Sequence, residues 1–280
     1  MEYKLQLGFT SHHCKTKLKL VLHAVLLTPL TTMSFEKKIV LITGAARGIG
    51  RAIAQSFAAE NATVALHYNS NHEAAEQTLA SLKSSKHQLV PADISNAEAA
   101  KTLVENVVAH FGRIDILVNN AAVYSDHPMM EVSYDEWQSE WDEIINVNLL
   151  AAANIMYCAA HQMKQQGGGR IINIGSRGAF RGEPDAPAYG ASKAALHALS
   201  QSLAVHLAPH NIFVSVVAPG WVATERQADK IKDSHRSQSP LNRVATPEEV
   251  AKTVLFLASE GTDFLTGSII DVNGASYLRT

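Results

Sequence analysis

The sequence has few cysteines and no surplus of charge of either sign. Cys14 and Cys158 are its only cysteines, which is too few for a disulfide framework and points to a reducing compartment, the cytoplasm. The 24 basic and 26 acidic side chains leave no basic excess for a nucleic-acid partner. No metal-ligand spacing involves the cysteines, so we expect no metal site. The composition, 46% hydrophobic over 280 residues, is that of a globular protein.

Long hydrophobic runs are also missing from the start of the chain. The apolar run from Leu20 to Leu30 is interrupted by His23 and Pro29, and it is shorter than the roughly 20 residues that span a bilayer. No small-x-small cleavage site follows it. We expect residues 1–32 to be an N-terminal extension outside the fold, with a targeting role as the alternative, and we expect no membrane partner. Residues 33–280 are the expected folded domain.

Short apolar runs alternate with helical periodicity from residue 37 onward. The runs predict strands at Lys38–Ile42, Thr63–Leu66, from Leu89 onward, and at Ile114–Val118, Arg170–Ile174, Ile212–Val217 and Ser268–Val272. Capping boxes predict helix starts at Ser95–Glu98, Ser133–Glu136 and Thr246–Glu249. Apolar strands separated by helices indicate a single doubly wound α/β (Rossmann) domain. Its seven-stranded parallel sheet would be flanked by helices on both faces.

A glycine-rich turn follows the first strand and runs directly into a helix. It reads Thr43-Gly44-Ala45-Ala46-Arg47-Gly48-Ile49-Gly50. A helix start exposes unpaired N–H groups, and glycines let the backbone approach a pyrophosphate closely. The spacing differs from the commonest dinucleotide fingerprint, but its position at the start of a βαβ series predicts a dinucleotide site.

The end of the second strand bears on which dinucleotide binds. An NAD enzyme needs a carboxylate there for the ribose 2′-hydroxyl. This chain has His67-Tyr68-Asn69-Ser70 instead, and Arg47 lies in the turn. We therefore expect NADP(H) to be preferred, with NAD(H) possible.

A tyrosine and a lysine are four residues apart at the start of a predicted helix, in Tyr189-Gly190-Ala191-Ser192-Lys193. They share one helix face, and a nearby cation would lower the phenol pKa and make Tyr189 a proton donor and acceptor near neutral pH. Ser176 directly follows the fifth strand. Polar or tight-turn segments also end the fourth and sixth strands, at Asn119–Ala122 and Pro219–Thr224, so the sequence predicts a crevice at this sheet edge.

These motifs resemble the short-chain dehydrogenase/reductase family over about 240 residues, from Lys37 to the end of the chain. Besides the turn and the Tyr-x-x-x-Lys, the chain has a serine thirteen residues before the tyrosine and a Pro-Gly turn after strand six. The family's Asn-Asn-Ala-Gly motif ends here in Ala122, a mild departure. The catalytic residues implied are Asn148, Ser176, Tyr189 and Lys193. The cofactor-binding residues implied or argued above are Gly44, Ala46, Arg47, Gly48, Ile49, Gly50, His67, Tyr68, Asn69, Ser70, Asp93, Ile94, Asn120, Ala121, Ala122, Tyr189, Lys193, Pro219, Gly220, Val222 and Thr224.

The resemblance implies hydride transfer between a nicotinamide and a carbonyl or carbinol carbon. Tyr189 would exchange the proton of the substrate oxygen, Ser176 would hold that oxygen, and Lys193 would bind the nicotinamide ribose and depress the tyrosine pKa. Asn148 would anchor a proton-relaying water, and Thr224 would bond the carboxamide. The family also implies a homotetramer.

The branch that the chain resembles most is that of 3-oxoacyl-[acyl-carrier-protein] reductases. Basic residues that dock the carrier protein in that branch are replaced by Gln166–Gly169 and Pro209-His210, so support for this partner is weak. Arg177, Arg181, Glu183 and Asp185 would make the pocket mouth polar, which favours a sugar, polyol or other small carbonyl as the alternative substrate. A pteridine-reductase-like enzyme is a third option, and a catalytically silent nucleotide-binding regulator is the non-enzyme alternative.

Overall fold

Strands and helices alternate along the chain in the computed structural model, which describes residues 34–84 and 86–279. The strands are β1 (Ile39–Ile42), β2 (Thr63–Tyr68), β3 (Gln88–Pro91), β4 (Ile116–Asn119), β5 (Gly169–Ile174), β6 (Ile212–Pro219) and β7 (Ile269–Val272). The helices are α1 (Gly48–Ala59), α2 (His72–Ser81), α3 (Ala97–Phe111), α4 (Tyr134–Ile145), α5 (Ala152–Gln165), α6 (Gly178–Arg181), α7 (Pro187–Leu207), α8 (Asp233–Arg236) and α9 (Pro247–Ala258). Ser34–Thr280 is one compact unit. The predicted extension, residues 1–32, lies outside the described residues.

All seven strands are parallel and lie in the order β3-β2-β1-β4-β5-β6-β7. The order runs outward in both directions from β1 and β4, so the connections reverse direction between these two strands. This confirms the predicted doubly wound α/β fold with a seven-stranded parallel sheet. In such a sheet, ligands bind outside the carboxyl ends of the strands near the reversal.

Helices cover both faces of the sheet, and each face has its own apolar core. On one face, Ile53 and Phe57 of α1 and Val254 of α9 pack against alternate strand residues. On the other face, Leu103 of α3 and Ile155 of α5 lie in the second core, together with residues of α7. Burial on both faces explains why the central strands are apolar at nearly every position rather than at alternate ones.

Two of the three predicted capping boxes form as expected. Ser133 caps α4 and Thr246 caps α9, and the backbone N–H of each donates in return to the carboxylate of Glu136 or Glu249 three residues later. These caps satisfy N–H groups that have no partner within the first helical turn.

The third predicted box, at Ser95, is wrong by one residue. Asn96 is the cap of α3, and its Oδ1 accepts hydrogen bonds from the N–H groups of Glu98 and Ala99. Ser95 instead donates its hydroxyl proton to Asp93 Oδ1. Asparagine and serine are both favourable caps, and the local bond to Asp93 determines which of the two neighbours serves.

A π-helical turn, Asn146–Ala151, joins α4 to α5 and makes one long helical stretch. By length and composition, Tyr134–Gln165 could cross a membrane. Its apolar side chains Ile155, Met156 and Met163 are fully buried in the second core. This stretch is therefore a helix that packs against the sheet with its apolar side chains in the second core. The wider π turn changes the direction in which the side chains of α5 point relative to those of α4, and π turns are frequent at functional sites.

Candidate active site

The carboxyl ends of the central strands open into a cleft of about 610 Å³. Every residue predicted to bind the cofactor lines this cleft, and so do Ser176, Tyr189 and Lys193. Asn148 does not line it. The fold therefore brings the glycine-rich turn and the tyrosine–lysine pair, which are more than 130 positions apart in the sequence, to one place.

The glycine-rich turn is held by side chains from the neighbouring strand end. Thr43 Oγ1 accepts hydrogen bonds from the N–H groups of Asn120 and Ala121, at 3.0 Å each. The Asn120 amide in turn donates to the carbonyls of Thr43 and Gly44, at 2.9 Å each. Gly44 has a φ of 64°, and a Cβ there would lie 2.9 Å from Ala121 Cα. The turn therefore needs glycine at this position, and Asn120 braces it from within the cleft wall.

His67 connects the glycine-rich turn to the next strand. Its Nδ1 accepts the Gly44 N–H at 3.1 Å, and its Nε2 lies 3.1 Å from the Ala92 carbonyl. These partners assign the proton to Nε2, and burial lowers the pKa of the ring. Both nitrogens are thus engaged within the protein. His67 therefore positions the turn. Its side chain was predicted to bind the cofactor, but neither ring nitrogen is free to do so.

Four of the other residues at the adenosine end are exposed at the cleft, whereas Tyr68 is buried. Arg47, Asn69 and Ser70 are exposed at the cleft. Asp93 is also exposed there, and its carboxylate bonds to the Ser95 amide and hydroxyl. The Tyr68 hydroxyl pairs with His72 Nδ1 at 2.7 Å.

Three of the side chains predicted to be catalytic, those of Ser176, Tyr189 and Lys193, converge near the end of β5. Ser176 is 8% exposed, and its hydroxyl accepts the Gly178 N–H at 3.0 Å. Lys193 is 2% exposed and donates from Nζ to the Ile174 carbonyl at 2.8 Å. Its Nζ also lies 5.8 Å from the centre of the Tyr189 ring. Burial lowers the pKa of Lys193 to about 8.

The expectation that Tyr189 titrates near neutral pH is wrong. Burial raises the pKa of its phenol to about 12, although the Ser176 hydroxyl favours the phenolate. Desolvation opposes the charged form, and the Lys193 ammonium is directed to a backbone carbonyl rather than to the phenol. Tyr189 is therefore a neutral phenol, ready to donate a proton.

Asn148 lies on the π-helical turn, behind the cleft wall. Its Oδ1 accepts the Val123 N–H at 2.8 Å, and its Nδ2 donates to the Val123 carbonyl and to Ser192 Oγ. These bonds fix the loop after β4 against the tyrosine–lysine helix α7. Its predicted role as a water anchor stays a prediction.

Comparison with known proteins agrees with this geometry. A family model described as enoyl-(acyl carrier protein) reductase matches residues 44–275. The 3-oxoacyl-[acyl-carrier-protein] reductase of Staphylococcus aureus is 37% identical over 246 residues, covering 86% of this chain and 98% of that relative. The chain belongs to the short-chain dehydrogenase/reductase family. The corresponding reductase of Thermotoga maritima is 36% identical over 247 residues, covering 86% of this chain and 98% of its own. A crystal structure of a dehydrogenase/reductase from Sinorhizobium meliloti is similar with a TM-score of 0.79 and 31% identity, covering 88% of this chain and 97% of that one.

Membership makes the protein an NAD(P)-dependent oxidoreductase that acts on CH–OH and C=O groups. This confirms the resemblance drawn from the motifs.

One contact in this dehydrogenase/reductase was missed by the sequence interpretation. Glu225, directly after Thr224, reaches across the cleft to the start of α1. Its carboxylate accepts the Gly48 N–H at 3.1 Å and an Arg51 hydrogen bond at 2.7 Å. A carboxylate thus occupies the helix end where an anion would bind. The two partners are 177 positions apart, and no local pattern signals them.

A second residue that the sequence interpretation missed lies behind Ser176. His197 follows Lys193 by one helical turn, is 3% exposed, and lies with Nε2 3.4 Å from the Ser176 N–H. A Cβ on Gly175 would lie 2.0 Å from this nitrogen, so the ring fills the space that glycine leaves. Burial lowers the pKa of His197 to about 4, helped by the charges of Lys193 and Arg279. The neutral ring supports the backbone of the serine.

The substrate end of the cleft is lined by polar and aromatic side chains. Tyr124 packs edge-on against Tyr189, with ring centres 5.0 Å apart. Arg226 donates to the Tyr124 carbonyl, and Glu183 and Arg177 lie on the opposite segment. Of the four residues expected to make the pocket mouth polar, Arg177 and Glu183 line the cleft. Arg181 and Asp185 are not among the cleft-lining residues.

Proposed function

We propose that the protein reduces a small carbonyl substrate with NADPH, or oxidises the corresponding alcohol with NADP⁺. The observation that carries this is the convergence of Ser176, Tyr189 and Lys193 with the glycine-rich turn in one cleft. The turn's positive-φ Gly44 and the helix start behind it fit a dinucleotide pyrophosphate. A bound nicotinamide would supply or accept the hydride.

The side chains then have separate roles. Tyr189, a neutral phenol, donates its proton to the carbonyl oxygen during reduction. The Ser176 hydroxyl accepts the Gly178 N–H and orients that oxygen by donating its own proton to it. Lys193 holds the nicotinamide ribose with its ammonium. Asn148 keeps the wall behind them in place.

The test is a pair of substitutions with different expected effects. Tyr189→Phe should lower kcat at least tenfold and leave the Kd for NADPH nearly unchanged, because the ring remains and only the proton donor is lost. Lys193→Met should raise this Kd as well. A Tyr189→Phe enzyme that retains more than about a tenth of its kcat would contradict the assignment.

Preference for NADPH is the finer part of this proposal. No carboxylate ends β2, and the exposed Arg47 lines the same cleft as Asn69 and Ser70, where it would pair with the 2′-phosphate. A guanidinium–phosphate hydrogen bond increases affinity roughly ten- to 150-fold. Solvent and salt weaken it at this exposed end, so we expect a preference for NADPH near the lower limit. Arg47→Ala should raise the KM for NADPH and leave the KM for NADH unchanged, while Tyr68→Asp should shift preference toward NADH. Equal kcat/KM for the two cofactors in the unmodified enzyme would refute it.

Two substrate classes have support. Similarity to 3-oxoacyl-[acyl-carrier-protein] reductases favours a 3-oxoacyl thioester. The charged cleft end favours a sugar, polyol or other small polar carbonyl. A panel of acetoacetyl thioesters, sugars, diketones and pterins, followed by NADPH absorbance, separates these classes and also tests the pteridine-reductase alternative. Cofactor binding without any turnover would favour the silent regulator.

A cytoplasmic homotetramer is the assembly we propose. Helix α7 carries small residues along one face, and the exposed Tyr157 on α5 and Val205 on α7 are apolar surface that a partner subunit would cover. Light scattering of the purified protein would give the mass, and a monomer at micromolar concentration would contradict the proposal.

A further inference from the structure

We propose that Glu183 selects substrates that carry a hydroxyl group beside the reacting carbonyl. This inference rests on the proposed function, because it places the reacting carbon at Ser176 and Tyr189. Glu183 lines the same cleft as these two residues and lies between α6 and α7.

The position of Glu183 is set by Gly178. A Cβ on Gly178 would lie 2.5 Å from Glu183 Oε1, so the carboxylate occupies the space beside this glycine. The Gly178 N–H in turn bonds to the Ser176 hydroxyl at 3.0 Å. The carboxylate is therefore a close neighbour of the serine that orients the substrate oxygen. Burial raises the pKa of the phenols of Tyr189 and Tyr124, and the charge of Glu183 adds to this effect.

The carboxylate of Glu183 receives no hydrogen bond from the described part of the chain. The two nearest guanidinium groups have other partners: Arg177 donates to Ser276 and Gln238, and Arg181 also donates to Gln238. Burial raises the pKa of Glu183, and the charges of Arg177 and Arg181 offset part of this effect. An acceptor that is partly desolvated and lacks a donor gains most from a ligand that brings one.

The surrounding charges indicate the chemical kind of donor. Two guanidinium groups, those of Arg177 and Arg181, act on Glu183, and one other carboxylate, that of Asp185, acts in the opposite sense. A cationic ammonium group bound to Glu183 would be repelled by these two neighbouring guanidinium groups. An alkyl group would remove water from the carboxylate and offer no bond in return. A neutral hydroxyl group is the donor that satisfies Glu183 without either cost.

Hydroxyacetone and butanone form a matched pair for the test, because they differ only by a hydroxyl in place of a methyl group. The unmodified enzyme should have a kcat/KM at least about tenfold higher for hydroxyacetone. Glu183→Leu should bring the ratio near one by lowering the value for hydroxyacetone, and Glu183→Gln, which keeps an acceptor oxygen, should retain part of the preference. Asp185→Asn is the control, because it removes an exposed carboxylate two residues away that does not line the cleft. It should leave the ratio unchanged.

An unchanged ratio in Glu183→Leu, with NADPH binding intact, would overturn the proposal. Failure of the proposed function would appear differently, as no turnover of either ketone. In that case the role of Glu183 is tested by the binding of the two ketones to the Tyr189→Phe protein. This binding is measured by quenching of NADPH fluorescence. Tighter binding of hydroxyacetone that Glu183→Leu abolishes supports it, and equal binding of the two ketones refutes it.

Discussion

At the scale of single residues, burial determines the protonation states in the cleft. The tyrosine–lysine spacing predicts that the two side chains share a helix face, which the structure bears out. The spacing says nothing about desolvation, which raises the pKa of Tyr189 to about 12 and lowers that of Lys193 to about 8. The residue types of the site were therefore predictable, but their charges depend on the groups that pack around them.

His197 gives a prediction at this scale. Its pKa is about 4 in the folded protein and about 6.5 in an unfolded chain. Above pH 6.5 His197 is neutral in both states and does not lower the free energy of unfolding. Between pH 6.5 and 4 only the unfolded chain takes up the proton, which favours unfolding. Lowering the pH from 7.5 to 5 should therefore reduce the free energy of unfolding by about 2 kcal/mol through this group.

Urea unfolding of the unmodified protein and of His197→Leu at the two pH values measures this contribution. The variant should lose about 2 kcal/mol less between them. Equal losses in the two proteins would mean that the pKa of His197 is the same in the folded and unfolded protein.

At the scale of elements, helix starts and the loops facing them control local stability and access. The cap of α3 was predicted one residue too early, because Ser95 and Asn96 are both good capping residues. Asn96→Ala should destabilise the protein by about 1 kcal/mol, since two N–H groups lose their acceptor. Ser95→Ala should change the free energy of unfolding by less than about 0.5 kcal/mol. Thermal unfolding compares the stabilities of the two variants. A greater loss in Ser95→Ala than in Asn96→Ala would show that Ser95 is the cap, as the sequence predicted.

The Glu225 contact predicts an effect on cofactor affinity. Its carboxylate accepts the Gly48 N–H and an Arg51 hydrogen bond, and it would compete with a cofactor phosphate for that N–H. Glu225→Gln should therefore lower the Kd for NADPH roughly threefold or more, because a negative charge leaves the helix start. Asp229→Asn, an exposed change on the same segment, is the control. Unchanged or weaker NADPH binding by Glu225→Gln, measured by fluorescence titration, would show that this carboxylate does not compete with the cofactor.

At the scale of the whole molecule, the seven strands, their parallel arrangement and the cleft position followed from the sequence because apolar runs and turn residues are local signals. The strand predictions at Lys38–Ile42 and Arg170–Ile174 agree with β1 and β5 to within one residue. Contacts between distant segments were not predictable. Glu225 with Gly48, and His197 with Ser176, depend on a fold that brings together residues 177 and 21 positions apart.

The predicted extension also belongs to this scale. A chain beginning at Met33 should have the same kcat/KM and melting temperature as the full chain, because the seven strands and the cleft residues all lie after this position. Activity assays and thermal melts of the two lengths make the comparison. A melting temperature lowered by several degrees would show that residues 1–32 stabilise the domain.

The close fit of His197 against Gly175 also restricts how this protein can change over generations. A side chain at position 175 would meet the imidazole at 2.0 Å, so most single replacements there would displace the backbone of Ser176. Replacement of His197 by a smaller residue removes that clash and leaves the 2.8 Å approach to Val216 as the remaining obstacle. A lineage that exchanges both residues would therefore change His197 first, and a lineage that keeps the histidine is bound to keep the glycine.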